Sequence, residues 1–325
     1  MKTILVTGGA GFIGSHLCDY LLKNNYRVIN VDNFNDFYDP SIKRNNVSNH
    51  LKNPNYILLE GDIRNYPFME DCYSTYTIDA VVHLAAMAGV RPSIADPLLY
   101  EDVNVRGTMH LLELNRKYEI KKFVCASSSS VYGNNEKTPF SESDPVDYCI
   151  SPYASTKKSC EIISHVYHHL YDIDVAMLRF FTVYGPRQRP DLAIHKFTHM
   201  MREGEEVPFY GDGSTRRDYT YIDDIIDGTY KALSYIMDNS SVYEIFNLGE
   251  SQTISLAEMV KTIENQLGVK ARIKQLPMQQ GDVEQTFADI SKAKQLIGYN
   301  PQTKFEAGIE KFIRWYDYEK QSILY

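Results

Sequence analysis

The stretch TGGAGFIG, residues 7–14, follows an apolar strand-like run and opens a pattern with helical periodicity. Its glycines Gly8, Gly11 and Gly14 recur at every third position. A strand, a glycine turn and a helix in this order let the backbone turn sharply and let the helix pack closely on the strand. The free N–H groups at the start of such a helix bind phosphate groups. The stretch therefore predicts a β-α turn that holds a dinucleotide.

Further apolar runs alternate with helical patterns along the chain. The strand-like runs are RVINVD (27–32), YILLEGD (56–62), DAVVHLAA (79–86), KFVCASS (122–128), VAMLRFF (175–181) and, later, YEIFNLG (243–249). The helical patterns cover 12–24, 66–75, 97–118 and 152–171. Because strands that are apolar throughout are buried on both faces, this alternation predicts an α/β fold with a doubly wound parallel sheet of the Rossmann type.

The alternation of strand-like and helical stretches changes after residue 182, where loops rich in proline, glycine and arginine appear. A helix, a strand and a last helix are predicted in this order over 255–320. We expect a dinucleotide-binding domain formed by 1–181 and 217–248. A smaller, interleaved C-terminal α/β lobe for the substrate is expected from 182–216 and 249–325.

The bulk composition is that of a globular protein. The chain has 325 residues, of which 43% are hydrophobic and 23% charged, and its formal net charge is −8. An acidic balance argues against a nucleic-acid partner, and the absence of any run of about eighteen apolar residues argues against a membrane partner. Five scattered cysteines without a CxxC spacing indicate reduced thiols and a cytoplasmic protein.

Asp32 ends the second predicted strand, about twenty residues after the glycine turn, where acidic residues of such folds hydrogen-bond the adenosine ribose. A carboxylate there also repels a 2′-phosphate, so the predicted cofactor is NAD and not NADP. Asp62, after the third strand, is a second candidate contact near the adenine.

Two further stretches predict the chemistry. SPYASTKK (151–158) places Tyr153 and Lys157 four residues apart on one face of a helix. The ammonium favours a phenolate, which can accept an alcohol proton while hydride leaves for a nicotinamide. CASSSSVYG (125–133) ends a buried strand in a row of serines, at the edge of the sheet where ligands bind.

These stretches, with HLAA (83–86), Asn104 in NVRGT and RRDYTYIDD (216–224), run through nearly the whole chain. Together they resemble the extended short-chain dehydrogenase/reductase family and, within it, the nucleotide-sugar epimerases. The resemblance implies that Tyr153 is the base, that Lys157 binds the nicotinamide ribose and tunes the tyrosine, and that Ser128 hydrogen-bonds the reacting sugar hydroxyl. It also implies a homodimer formed by the helices of 97–118 and 152–171. The cofactor contacts that we expect are Gly8, Gly11, Phe12, Ile13, Gly14, Asp32, Asn33, Asp62, Ile63, Leu84, Ala85, Ala86, Asn104, Tyr153 and Lys157.

Differences from the usual motifs of the family reduce the number of reactions that fit this chain. Relatives that dehydrate or decarboxylate nucleotide sugars carry acids in the strand-end stretch, where this chain has Ser128, Ser129 and Ser130. Galactose-type epimerases read RYFN where this chain reads RFFT, ending in Thr182. The stretches FTVYGPRQRPD (181–191), AGVRPS (88–93) and LPMQQGD (276–282) resemble the UDP-glucuronate 4-epimerases.

A UDP-uronate carries a diphosphate and a carboxylate, and both suit the forked donors of arginine. We expect Arg91, Arg189 and Arg217 to bind it, and Asp282 to contact it on resemblance alone. The hydroxyl groups of Ser127, Ser128 and Thr182 are expected to hold the sugar carboxylate, and Ser129 completes the substrate set.

The predicted activity is an NAD-dependent 4-epimerisation of UDP-glucuronate and UDP-galacturonate through a 4-keto sugar. The alternatives are a UDP-glucose or UDP-N-acetylglucosamine 4-epimerase, which Thr182 disfavours, a UDP-glucuronate decarboxylase, and an inactive NAD-binding regulator. The Tyr153 and Lys157 pair argues against the regulator. No metal site is expected, because His195 and His199 lack an accompanying third ligand.

Overall fold

The computed structural model describes residues 1–277 and 283–323. Its strands, in chain order, are β1 (Thr3–Thr7), β2 (Arg27–Asp32), β3 (Tyr56–Glu60), β4 (Ala80–His83), β5 (Lys122–Ser128), β6 (Asp174–Phe180), β7 (Thr182–Tyr184), β8 (Glu206–Tyr210), β9 (Arg216–Arg217), β10 (Tyr219–Tyr221), β11 (Tyr243–Leu248), β12 (Ile254–Ser255) and β13 (Arg272–Leu276). The longest sheet has seven parallel strands in the order β11-β6-β5-β4-β1-β2-β3. This order confirms the predicted doubly wound α/β fold.

Helices cover both faces of that sheet. In chain order the helices of the described residues, some of which pack beside the short sheets instead, are α1 (Phe12–Lys23), α2 (Pro40–Val47), α3 (Tyr66–Thr75), α4 (Val90–Ala95), α5 (Pro97–Tyr100), α6 (Gly107–Lys117), α7 (Pro152–Tyr171), α8 (Ala193–Arg202), α9 (Ile222–Asp238), α10 (Leu256–Leu267), α11 (Ser291–Ile297) and α12 (Phe305–Ile323). Successive strand side chains point to opposite faces. In β1, Ile4 and Val6 accordingly join one apolar core and Leu5 joins the other. The central strands are largely apolar because both of their faces are buried.

The helical pattern of 97–118 is interrupted in the structure. A π-helical segment, Glu101–Arg106, separates α5 from α6. A π-helical turn changes the direction in which its side chains point relative to a regular α-helix. Within this segment Asn104 is buried, and its amide reaches the loop after β4 and the helix α7.

The second half of the chain adds short sheets beside the large one. β7 pairs with β10 in parallel, β8 pairs with β13 in parallel, and β9 pairs with β12 in antiparallel orientation. The large sheet draws its strands from 1–181 and from β11, whereas β7 and β10 pair across the proposed boundary between domain and lobe. None of the helices that the structure describes is both long and apolar enough to cross a membrane.

Candidate active site

A cleft of about 800 Å³ opens at the carboxyl ends of the central strands and continues between the sheet and the C-terminal lobe. It is lined by most of the residues that the sequence singled out: Gly8, Gly11, Phe12, Ile13, Gly14, Asp32, Asn33, Asp62, Ile63, Leu84, Ala85, Ala86, Ser127, Ser128, Ser129, Tyr153, Lys157, Thr182, Arg189 and Arg217. Among the described residues of the prediction, Arg91 and Asn104 do not line it. Asp282 lies outside the residues that the structure describes.

The glycine turn at one end of the cleft leaves no room for side chains. Gly8 has a φ of +75°, and a Cβ on it would lie 2.7 Å from the backbone nitrogen of Ala85. A Cβ on Gly14 would lie 2.2 Å from the carbonyl oxygen of Gly8. No side chain caps the N-terminus of α1, whose N-cap residue is Gly11. This backbone cradle and its open helix start fit the pyrophosphate of a dinucleotide.

Asp32, at the end of β2, hydrogen-bonds the backbone of the glycine turn. Its carboxylate accepts hydrogen bonds from the backbone N–H of Ala10 (3.0 Å) and of Phe34 (2.9 Å). A carboxylate has about four acceptor positions, so it can still accept from the hydroxyl groups of a ribose. Asp32 therefore shapes the loop as well as facing the cleft.

Asp62 differs from Asp32 in being paired with a cation. Arg64 donates to both of its oxygens (3.0 and 2.8 Å), and the Asn33 amide donates to Oδ2 (3.0 Å). Burial raises the pKa of Asp62, but the hydrogen bonds from Arg64 and Asn33 outweigh it and bring the pKa to about 2. Its charge is therefore largely balanced within the protein.

The start of α7 and the end of β5 form the wall opposite the glycine turn. Ser151 caps α7 by accepting from the backbone N–H of Ala154 (3.1 Å). Two residues later Tyr153 packs edge to face against Tyr100, with ring centroids 6.2 Å apart. Lys157 is buried, and its Nζ donates to the carbonyl of Ala126 (2.8 Å). The phenol and the ammonium thus line one cleft from a single helix.

The serine row divides between two environments. The Ser128 Oγ, at the end of β5, accepts from the backbone N–H (3.1 Å) and the hydroxyl (2.9 Å) of Ser130. The Ser127 hydroxyl instead donates to Oε1 of the buried Glu161 (2.7 Å). Neighbouring side chains of a strand point to opposite faces, which separates the hydrogen bonds of the two hydroxyls although both residues line the cleft. The contact of Ser127 with the substrate stays a prediction.

Three residues that were predicted to bind the substrate, Thr182, Arg189 and Arg217, line the lobe side of the cleft. Thr182 lines the cleft, and its hydroxyl has no hydrogen-bond partner within 1–277 and 283–323. Arg189 is held by both oxygens of Asp191 (2.9 and 2.7 Å), and its guanidinium lies over the ring of Phe37, 5.2 Å from the centroid. The Arg217 Nη1 donates to the carbonyl of Arg216 (2.9 Å).

The two residues outside the cleft have other partners. The Arg91 guanidinium lies 5.8 Å from the centre of the Tyr210 ring, and the substrate contact expected of Arg91 stays a prediction. The Asn104 amide bonds both the N–H (2.8 Å) and the carbonyl (3.0 Å) of Met87, and it donates to Thr156 (3.0 Å). Asn104 therefore joins the loop after β4 to α7 and supports the cleft from outside.

Several residues that line the cleft were not predicted from the sequence. Lys43 is buried at the cleft and donates to the carbonyl (3.0 Å) and the side-chain oxygen (2.6 Å) of Asn35. Phe140 and Thr286 line the cleft from segments that are far apart in sequence. The isolated β-bridge between Phe140 and Ala288 brings these two segments together. No periodicity or spacing marks these positions, whereas Ser130 could have been found as part of the serine row.

The comparisons with known proteins agree with this geometry. The family model described as GDP-mannose 4,6 dehydratase matches residues 5–312. A UDP-glucuronate 4-epimerase from Thermodesulfobacterium geofontis is 43% identical over 97% of this chain and 96% of its own length. The crystal structure of UDP-glucuronic acid 4-epimerase from Bacillus cereus, in complex with UDP-glucuronic acid and NAD, is 40% identical with a TM-score of 0.90, and all of both chains is covered. The UDP-glucose 4-epimerase of Thermotoga maritima, with UDP-glucose, is 34% identical over 98% of this chain and 100% of that chain, with a TM-score of 0.89.

Proposed function

This chain belongs to the extended short-chain dehydrogenases/reductases of the GDP-mannose 4,6-dehydratase type, and on that premise we propose that it is an NAD-dependent 4-epimerase acting on UDP-glucuronate and UDP-galacturonate. One observation carries the proposal. A single cleft joins the glycine turn and Asp32 to Tyr153 and Lys157, and continues to Thr182 in the lobe. The similar epimerases, which include one solved with UDP-glucuronic acid and NAD, support the same reaction.

Bound NAD would supply the acceptor for the hydride of C4 and the donor for its return to the opposite face of the sugar. The turn from Gly8 to Gly14 holds its pyrophosphate through backbone N–H groups, and Asp32 accepts from its adenosine ribose. Tyr153 takes the proton of the C4 hydroxyl and returns it when the 4-keto sugar is reduced. Lys157 keeps positive charge beside the phenolate, while Ser128 hydrogen-bonds the C4 oxygen.

The 4-keto form of a uronate is a β-keto acid, which loses carbon dioxide readily. The chain must hold the carboxylate away from the conformation that allows this loss. Ser128, Ser129 and Thr182 offer neutral hydroxyl donors for that purpose around the cleft. No carboxylic acid stands in the strand-end row that could act as the general acid or base of a dehydratase.

A 4-epimerase of neutral UDP-sugars remains the second candidate, because the Thermotoga maritima UDP-glucose 4-epimerase has nearly the same fold. The test incubates the protein with UDP-glucuronate, UDP-glucose and UDP-N-acetylglucosamine in separate reactions and resolves every product. Conversion of UDP-glucuronate to UDP-galacturonate at the highest efficiency is expected. Preferred conversion of a neutral sugar would replace the uronate assignment with the second candidate.

Replacing Asp32 tests the preference for NAD. In Asp32→Asn the charge that repels a 2′-phosphate is lost, while one oxygen still accepts from the loop. Two unit charges 4 Å apart interact by about 4 kcal/mol at an effective dielectric constant of 20. We therefore expect the ratio of NADP to NAD affinity to rise about tenfold or more, measured by competitive binding.

Asp62→Asn is the matched control for this change. It removes a second carboxylate from the same end of the cleft, but one expected at the adenine and not at the ribose hydroxyls, and Arg64 stays paired with Asp102 in the variant. The cofactor ratio should therefore stay within about twofold of the native value, well below one tenfold step of 1.4 kcal/mol. An equal shift in both variants, or a native protein that prefers NADP, would contradict the role given to Asp32.

The proposed assembly is a homodimer formed through α6 and α7. Ile162, Val166 and Leu170 are exposed on α7 at intervals of four residues, so they form one apolar stripe. Met109 of α6 is also exposed. An exposed apolar stripe of this kind is typical of a protein interface. A second copy of this chain, facing it with the same stripe, would cover it.

Val166→Glu is expected to convert a dimer to a monomer, because a charge in the middle of the stripe would be desolvated on association. Light scattering after size-exclusion chromatography measures the change. Leu296→Glu introduces the same charge at an exposed apolar residue of α11 and should leave the dimer intact. A native monomer, or a dimer that survives Val166→Glu, would contradict the proposed interface.

We also infer a cytoplasmic location for the protein. All five cysteines are free thiols, and only Cys149 is more than slightly accessible. Free thiols persist in a reducing compartment. The product, an activated uronate, suits transfer into polysaccharides by a glycosyltransferase of the same compartment.

A further inference from the structure

A buried ion pair behind the serine row has no part in the proposed proton transfer. Glu161 of α7 and Arg179 of β6 have side chains that are each 1% exposed. The Arg179 Nε donates to Oε1 of Glu161 (2.8 Å), and Nη2 donates to Oε2 (2.9 Å). Burial raises the pKa of Glu161, but Arg179 outweighs this effect and lowers the pKa below its usual value. Burying two charges is costly even when they are paired, so the pair needs a reason.

Glu161 reaches the start of the serine row. Its Oε1 accepts a hydrogen bond from the Ser127 hydroxyl (2.7 Å). Ser127 lies between Ala126, whose carbonyl accepts from Lys157, and Ser128, which faces the cleft. Since neighbouring side chains alternate along a strand, the Ser127 hydroxyl bonds Glu161 on the face of β5 opposite to the Ser128 hydroxyl, and this bond fixes the end of the strand.

Arg179 reaches the end of the same row. Its Nη1 donates to the hydroxyl of Tyr132 (2.9 Å), and that hydroxyl donates to Oδ1 of Asn247 on β11 (2.7 Å). Tyr132 ends the 3₁₀-helical turn Ser129–Tyr132, which begins directly after β5. The serines that face the cleft therefore lie between two residues that are both bonded to the ion pair.

We propose that Glu161 and Arg179 are positioning residues of the epimerisation, which hold Ser128 and the carbonyl partner of Lys157 in place through Ser127 and Tyr132. The inference rests on the proposed function. Neither residue lines the cleft. They act through the backbone of β5 and of the turn that follows it, because small displacements of reacting groups reduce rates strongly.

Ser127→Ala removes one hydroxyl from this arrangement and leaves both charges paired. We expect kcat for UDP-glucuronate to fall about tenfold to a hundredfold, while KM and the content of bound NAD stay near the native values. Ser127→Thr, which retains the hydroxyl, should restore most of the kcat. Tyr243→Phe is the matched control, because the Tyr243 hydroxyl donates to the backbone carbonyl of Glu161 (2.8 Å) and not to its carboxylate. It should keep native kcat.

The double variant Glu161→Leu/Arg179→Met separates positioning from stability. Replacing a buried ion pair by apolar residues of similar volume is often neutral for stability. A folded double variant that retains NAD and loses kcat to the same extent as Ser127→Ala supports the inference. Native kcat in Ser127→Ala, or a loss confined to KM, overturns it. A native protein that epimerises none of the three UDP-sugars overturns the proposed function instead.

Discussion

Tyr153→Phe is expected to slow the epimerisation of UDP-glucuronate by about two to four orders of magnitude, the usual contribution of general acid–base catalysis. Phenylalanine keeps the ring and its edge-to-face packing on Tyr100. It removes the oxygen that accepts the C4 proton, and the other side chain of α7 that lines the cleft, Lys157, already donates to the carbonyl of Ala126. Turnover of UDP-glucuronate, with UDP-galacturonate resolved chromatographically, measures the change.

Tyr100→Phe is the control for the loss of a phenol oxygen near the cleft. The Tyr100 hydroxyl donates to the carbonyl of Ala88 (2.9 Å). Its removal should lower stability modestly and leave turnover within a few-fold of native, since a neutral hydrogen bond contributes about 1 kcal/mol. Bound NAD and the circular dichroism spectrum should be unchanged in Tyr153→Phe. Turnover near the native rate in that variant would contradict the assignment of the base.

The parts of the site that the sequence predicts well are those with local signals. The glycine turn, Asp32, Tyr153 and Lys157 each follow from spacing within a single β-α unit, because the strand and helix periods fix which residues share a face. The sheet order then brings the units together. The separate hydrogen bonds of the Ser127 and Ser128 hydroxyls also follow from a local rule, since strand alternation directs neighbouring side chains to opposite faces.

Other parts depend on contacts that no local pattern contains. Asn104 turns inward because a π-helical segment interrupts a region that reads as continuous helix. Glu161 and Arg179 meet only because α7 packs over the adjacent strands β5 and β6. Lys43 is buried through Asn35, eight residues earlier, in a loop without regular periodicity. In each case tertiary packing decides the role of a residue whose sequence context is ordinary.

Thr182→Val is expected to reduce kcat/KM for UDP-glucuronate about tenfold to a hundredfold. A hydrogen bond to a charged group contributes about 1.5–3 kcal/mol, and 1.4 kcal/mol corresponds to a factor of ten. Valine has nearly the same shape and favours strands, so β7 should tolerate it. The backbone N–H of Thr182 donates to the carbonyl of Asp218 (3.0 Å), and this bond remains in the variant. Thr182→Ser keeps the hydroxyl and should retain most of the activity.

The products of Thr182→Val separate a carboxylate contact from a general effect on the cleft. If the hydroxyl holds the sugar carboxylate, its loss should release more of the 4-keto intermediate as the decarboxylated pentose. Conversion of UDP-glucose, which has no carboxylate, should be no lower in the variant than in the native protein. Mass spectrometry of both reactions gives the ratio of epimer to pentose. Equal losses with both sugars and an unchanged ratio would show that Thr182 shapes the cleft without reading the charge, and the choice of the uronate over neutral sugars would then depend on the serine row alone.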